Sequence, residues 1–150
     1  MNTILVGLDF SPASRHVLTA AKDLATRTGA RLVLSHAVGI PVELPPEAYV
    51  MSPENVVDLL VKNARKDLDK LAGELPPDMV QDVVVEVGTP WRAICDLAER
   101  RKVDLIVIGA HGHRLLDRVL GTTTGRVVSH TDRSVLVVRS PAMFAEATRG

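Results

Sequence analysis

Glycines and hydroxyl residues crowd both ends of the segment from Gly109 to Arg126, GAHGHRLLDRVLGTTTGR: Gly109 and Gly112 open it, and Gly121, Thr122, Thr123, Thr124 and Gly125 close it. Glycine loses more conformational freedom on folding than any other residue, so this density marks a place where something must approach the main chain closely. Bare backbone beside threonine hydroxyls suits an oxyanion such as a phosphate. Far away in sequence, Asp9 in GLDFSP offers the complementary chemistry. Ionised, it only accepts hydrogen bonds, which suits a ribose hydroxyl, an adenine amino group or a divalent cation bridging phosphates.

Other chemistries fit less well. The segment is no P-loop, because no lysine follows Lys102, and GLDFSP lacks the G-x-G-x-x-G dinucleotide signature. His111 and His113 lack the accompanying carboxylates that a transition-metal site needs, so we read them as polar loop residues. Ser35 and Ser129 have no His and Asp at nucleophile-elbow spacing. Cys95 is the single cysteine, which excludes an internal disulfide; it falls on an apolar helix face, as an inert core thiol does. His36 sits between apolar strand residues and reads as a hydrogen-bonded core histidine. Arg114, Arg118 and Arg126 are within sequence reach of a phosphate, with solvated surface an equal reading for Arg114 and Arg118.

The elements that must position these residues alternate regularly. TILVGL (3–8), RLVLSHAV (31–38), DVVVEV (82–87), VDLIVIG (103–109) and SVLVV (134–138) are short apolar runs of strand type. Between them lie four helical patterns. The first opens at Ser11-Pro12 as cap and first-turn proline and carries Val17, Leu18, Ala21, Leu24 and Ala25, with Gly29 as its C-cap. The second opens at Ser52-Pro53 and buries Val57, Leu60, Val61, Ala64, Leu68 and Leu71. The third opens at Thr89-Pro90 with Trp91, Ile94, Cys95 and Ala98 inward, and the fourth, short helix begins at GTTTG. Strands apolar on both faces predict a parallel sheet covered by helices. We therefore expect a doubly wound α/β fold, five parallel strands in the order 3-2-1-4-5, forming a single domain over 1–150 with 141–150 as a short tail.

In that order the winding reverses between strands 1 and 4, where open parallel sheets hold ligands beyond their carboxyl ends. The strand ends facing the crevice are Gly7, Leu8 and Asp9 on one side and Ile108 and Gly109 on the other. The long exit from strand 2, GIPVELPPEAYVMS (39–52), leaves at the same edge, where Tyr49 and Met51 would cover a base or pack on the next helix.

The 150 residues carry 18 Lys plus Arg against 18 Asp plus Glu, and this zero net charge argues against a nucleic-acid partner. The start MNTILVGLDFS lacks the basic region of a signal peptide, and no apolar run reaches membrane-spanning length. A cytoplasmic protein is the expectation.

The stretches ILVGLDFSPAS, LVLSHAV, GTPWRAICDLAE, VDLIVIGAHG and GTTTGRVVSHTDRSVLVVR, in this order over nearly the whole chain, resemble the universal stress protein family. The ATP-binding branch of that family carries G-x2-G-x9-G-(S/T). Gly109 and Gly112 match its first pair and Gly121-Thr122 its last, while the spacer from His113 to Leu120 has eight residues, one fewer than the motif. The resemblance implies that Asp9 contacts the nucleotide and that Ala37 meets adenine through its backbone. It places Gly109, His111 and Gly112 along ribose and phosphate, and Gly121, Thr122 and Thr123 around the phosphates, with Thr124 adding a hydroxyl. It implies ATP or AMP as ligand, with Mg2+ beside a triphosphate, and no catalytic residue. It also implies a homodimer through the last strand, Val135, Leu136, Val137 and Val138, whose apolar edge would invite pairing in any case. A slow ATP hydrolase and a nucleotide-free interaction module are the competing functions.

Overall fold

The computed structural model describes residues 1–39, 52–110 and 120–140. The expectations for Tyr49, Met51, His111, Gly112, His113, Arg114, Arg118 and the 141–150 tail lie outside these residues. The element order is β1 (Thr3–Gly7), α1 (Ser14–Thr28), β2 (Arg31–Val38), α2 (Pro53–Ala72), a 3-10 turn (Pro77–Met79), β3 (Val80–Val87), α3 (Pro90–Arg100), β4 (Leu105–Gly109), α4 (Thr122–His130) and β5 (Ser134–Val138). All strand pairs are parallel and the order is β3-β2-β1-β4-β5, as the alternation of apolar runs and helical patterns predicts.

Strand alternation divides the core into two layers. Ile4, Val6, Leu32, Leu34, Leu105 and Val107 face Val17, Leu18, Ala21 and Ala25 of α1 and Leu68 of α2. Leu5, Val33, Ile106 and Ile108 face Ile94, Leu97 and Ala98 of α3 and Val127 of α4. Successive strand residues point to opposite faces, so residues 4–6 of β1, 32–35 of β2 and 105–108 of β4 are all buried on one layer or the other. That requirement accounts for the unbroken apolar runs.

Helix boundaries follow local chemistry, with one revision. Ser52 caps α2 by accepting from the Asn55 amide at 3.3 Å, ahead of Pro53. Gly29 ends α1 at φ 75°, a left-handed conformation in which glycine has no Cβ to clash. The expected Ser11-Pro12 start of α1 is not what forms. The helix begins at Ser14, and the Ser11 side chain caps nothing. Asp9 does the local hydrogen bonding instead: its Oδ1 accepts from the Ser11 amide at 2.9 Å and from the Ser14 hydroxyl at 3.1 Å. This aspartate-centred turn outcompetes the serine cap because a carboxylate is the stronger acceptor.

Candidate functional site

The crevice lies at the carboxyl ends of β1 and β4, which run side by side with Val6 opposite Val107. Past this pair β1 continues to Gly7 and Leu8, and β4 to Ile108 and Gly109. Gly7 has almost no free volume above it: a Cβ there would stand 2.9 Å from Ile108 Cγ2 and 3.3 Å from Ile94 Cδ1. Leu8 and Ile108 are buried, with their side chains in opposite core layers. The Leu8 amide donates to Ser35 O at 2.9 Å, and its carbonyl accepts from His36 Nδ1 at 2.6 Å. Leu8 therefore shapes the crevice from below, with both backbone groups engaged.

Asp9 follows in exposed position with Oδ1 committed to its turn. Phe10 then reverses the chain at φ 60°, a left-handed conformation that costs a non-glycine residue about 1–2 kcal/mol. Two contacts hold it. The Phe10 ring lies 4.2 Å from the His36 imidazole, and that imidazole is tethered to Leu8 O. A carbonyl only accepts, so Nδ1 carries the proton. Sequence reading placed His36 as a hydrogen-bonded core residue; its partner, and its service to the β1–α1 turn, are visible only in three dimensions.

Ala37 is turned toward the crevice by the sheet itself. In a parallel ladder, alternate residues direct their N–H and C=O to opposite neighbours. Ser35 O accepts from Leu8 on the β1 side, and Val38 O accepts from Gly88 on the β3 side. Ala37, in phase with Ser35, directs its backbone donor and acceptor toward β1. The β1–β2 ladder ends at Gly7 opposite Ser35, so these groups lie beyond it.

The start of α4 closes the other side. The Gly121 amide donates to Ala110 O at 2.8 Å, and the Ala110 amide donates to Val138 O at 2.9 Å. The Thr124 hydroxyl donates to Gly109 O at 2.5 Å, stitching the first turn of α4 to the end of β4. Thr124 is buried, so its hydroxyl serves this stitch; Thr122 is exposed and Thr123 half-exposed. Gly121 stands at the N-cap with no side chain to cap, and the helix has no acidic residue in its first turn. The first amides of α4, on Thr122, Thr123 and Thr124, thus have no side-chain partner among the described residues. A helix start left this way presents unpaired N–H groups and the positive end of the macrodipole.

Elsewhere the titratable groups are structural. Burial, reinforced by the nearby Asp96 charge, pushes the Cys95 thiol up, as expected of an inert core cysteine. Among the described residues no cluster of three or more His, Cys, Asp or Glu could hold a metal ion, and no helix is long and apolar enough to cross a membrane.

The doubly wound sheet, with a polar strand end facing an uncapped helix start across its switch point, defines an α/β protein of the mononucleotide-crevice class. Residues 1–139 match the family model described as "Universal stress protein family", and the chain belongs to that family. Universal stress protein A homolog 2 of Coxiella burnetii is 32% identical over 137 residues, covering 91% of this chain and 93% of its own length. The solved structure of MJ0577, a universal stress protein of Methanocaldococcus jannaschii, superposes with a TM-score of 0.77 at 26% identity, covering 93% of this chain and 96% of that one. A universal stress protein of Archaeoglobus fulgidus, solved in complex with dAMP, shares the fold at a TM-score of 0.64 and 18% identity, covering 92% of this chain and 98% of that one.

Proposed function

We propose that this protein binds an adenine nucleotide in the β1/β4 crevice and acts as a regulatory switch. The observation that carries the reading is the uncapped start of α4, stitched to β4 by the Thr124–Gly109 and Gly121–Ala110 hydrogen bonds. A phosphate there would accept from the Thr122 and Thr123 amides and the Thr122 hydroxyl. The Ala37 donor–acceptor pair suits the N1 and amino group of adenine. Asp9, with one carboxylate oxygen outside its turn, suits a ribose hydroxyl or an Mg2+ ion bridging the phosphates of ATP. A family member that holds dAMP on the same fold supports an adenine nucleotide as the ligand.

Function follows by linkage. Nucleotide that binds one arrangement of the crevice better shifts the population toward it, and with it the surface offered to partners. No described side chain supplies a phosphate lysine or a base paired with a nucleophile, so the residues favour binding over turnover. Calorimetry with ATP, ADP and AMP tests the proposal: saturable binding of at least one is expected, and no heat at millimolar nucleotide would refute it.

A further inference from the structure

On the α3/α4 side of the sheet lies a cationic aromatic cluster. Trp91, in the first turn of α3, packs with its indole 4.4 Å from the imidazole of His130 on α4. The Arg92 guanidinium carbon lies 5.2 Å from the indole centroid, and that of Arg126 lies 5.8 Å from it. Both arginines are exposed and Trp91 is half-buried.

Arg92 and Arg126 share with Arg27 and Arg31 the lack of a carboxylate partner among the described residues, and differ from them in converging on one aromatic ring. Arg15, Arg65, Arg100, Arg101 and Arg133 each meet a carboxylate: Glu74, Asp69, Glu86, Asp82 and Asp132 respectively. No carboxylate among the described residues pairs with Arg92 or Arg126, including Asp96 one turn along α3. Trp91 and Arg92 stand in the first turn of α3, which has no acidic residue, so that helix start adds to the positive field. In a chain of zero net charge, this is a local concentration of positive charge that no carboxylate among the described residues answers.

We infer that the Trp91–Arg92–Arg126 cluster is a docking surface for an acidic segment of a partner protein. Three properties point there. Tryptophan and arginine are the side chains most enriched at interface hot spots. Guanidiniums held against an indole have already lost much of their rotamer freedom, so carboxylates meet them at reduced entropic cost. Two planar forks flanking an apolar ring match a short stretch of acidic residues with an intervening side chain to cover the ring. A nucleic acid would need a longer basic track than two arginines in a neutral protein supply. Arg126 lies one turn along α4 from Thr122, so occupancy of the crevice and of this surface act on one helix.

Trp91 is the only tryptophan, so its emission reports directly on the cluster. The full chain is titrated with a hexaglutamate peptide, with hexalysine, tripolyphosphate and hexathymidylate as comparisons. Saturable quenching by hexaglutamate is expected, weakening as salt rises and absent with hexalysine. Arg92→Gln with Arg126→Gln should weaken it about tenfold or more, while Arg27→Gln on α1, across the sheet, should leave it unchanged. Lysine at both positions, which keeps charge but loses the planar stack, should recover only part of the affinity. Thermal melts identify any variant that fails to fold, and calorimetric titration of Trp91→Phe gives a readout independent of the fluorophore. Three results overturn the inference: no saturable response to hexaglutamate, a response to tripolyphosphate or hexathymidylate alone, or wild-type affinity in the double glutamine variant.

Discussion

The hydroxyl of Thr124 donates to the carbonyl of Gly109, joining the first turn of α4 to the last residue of β4 across fifteen positions of chain. The two glycine-rich ends of one sequence segment are thereby held together by a bond between them. Thr124 ties the start of α4 to β4, while Thr122 beside it is exposed and Thr123 half-exposed.

Replacing Thr124 with valine keeps the shape but strands the Gly109 carbonyl. An unpaired buried acceptor costs about 1–3 kcal/mol, so urea denaturation should show that loss. Thr124→Ser, which keeps the hydroxyl, should restore most of it. If the α4 start is the phosphate site, nucleotide affinity should fall in the valine variant and return in the serine one.

Asp9 holds the β1–α1 turn through one carboxylate oxygen, and the proposed nucleotide contact falls to the other. Asp9→Asn keeps an oxygen able to accept from the Ser11 amide and the Ser14 hydroxyl, so the turn and the melting temperature should survive. It removes the negative charge, and nucleotide affinity should drop about tenfold, which is about 1.4 kcal/mol. Asp9→Ala should lose both, lowering stability by about 1 kcal/mol as for a deleted cap. Calorimetry and melting curves on the pair separate ligand contact from turn formation.

Gly7 tolerates little. A Cβ at 2.9 Å from a branched isoleucine methyl forces that part of the core to move. Gly7→Val should destabilise by about 1–3 kcal/mol, the usual range for overpacking, and Gly7→Ala by less. Denaturant midpoints measure this directly, and a valine variant as stable as wild type would show that the Ile94–Ile108 contact is soft.

Edge strand β5 carries Leu136 at 37% exposure, and α4 beside it carries Val128 at 45%. An apolar edge with free backbone groups favours pairing with a second copy. Sedimentation should reveal a homodimer, and Leu136→Lys should shift it to monomer at equal concentration. The opposite edge strand, β3, carries Glu86 and Asp82, paired with Arg100 at the end of α3 and with its C-cap residue Arg101, and should not self-associate.

The acid limb of stability has identifiable contributors. The Asp104 carboxylate accepts from the Thr3 and Asn2 amides, which holds its pKa below the ordinary aspartate value. Burial pushes Asp82 upward, but its hydrogen bonds from Arg101 and the Val83 amide outweigh that and leave it lowered as well. A depressed folded-state pKa gives stability that is complete above the unfolded value, about 3.9, and fades as pH falls through the lower folded value. Denaturant midpoints should thus decline below about pH 4, and Asp104→Asn should flatten that decline.

By itself the sequence determined the architecture. Strands buried on both faces must be apolar throughout, and helices covering them must repeat every three to four residues, so both signals are written locally in runs such as LIVI and in the face carrying Val17, Leu18, Ala21 and Ala25. Strand order and the location of the crevice follow from that alternation. Tertiary structure alone decided which polar groups remain open. The Asp9 turn that replaced the Ser11 cap is local, and the sequence left it open because two neighbouring side chains offer an acceptor there. His36 and Phe10 lock the reversal after Asp9, and Thr124 spends its hydroxyl on Gly109, because each of these contacts joins residues whose meeting depends on the packed sheet. The clustering of Arg92 and Arg126 about Trp91 is of the same kind. It needs two helices, distant in sequence, laid side by side, and no periodicity in either one announces it.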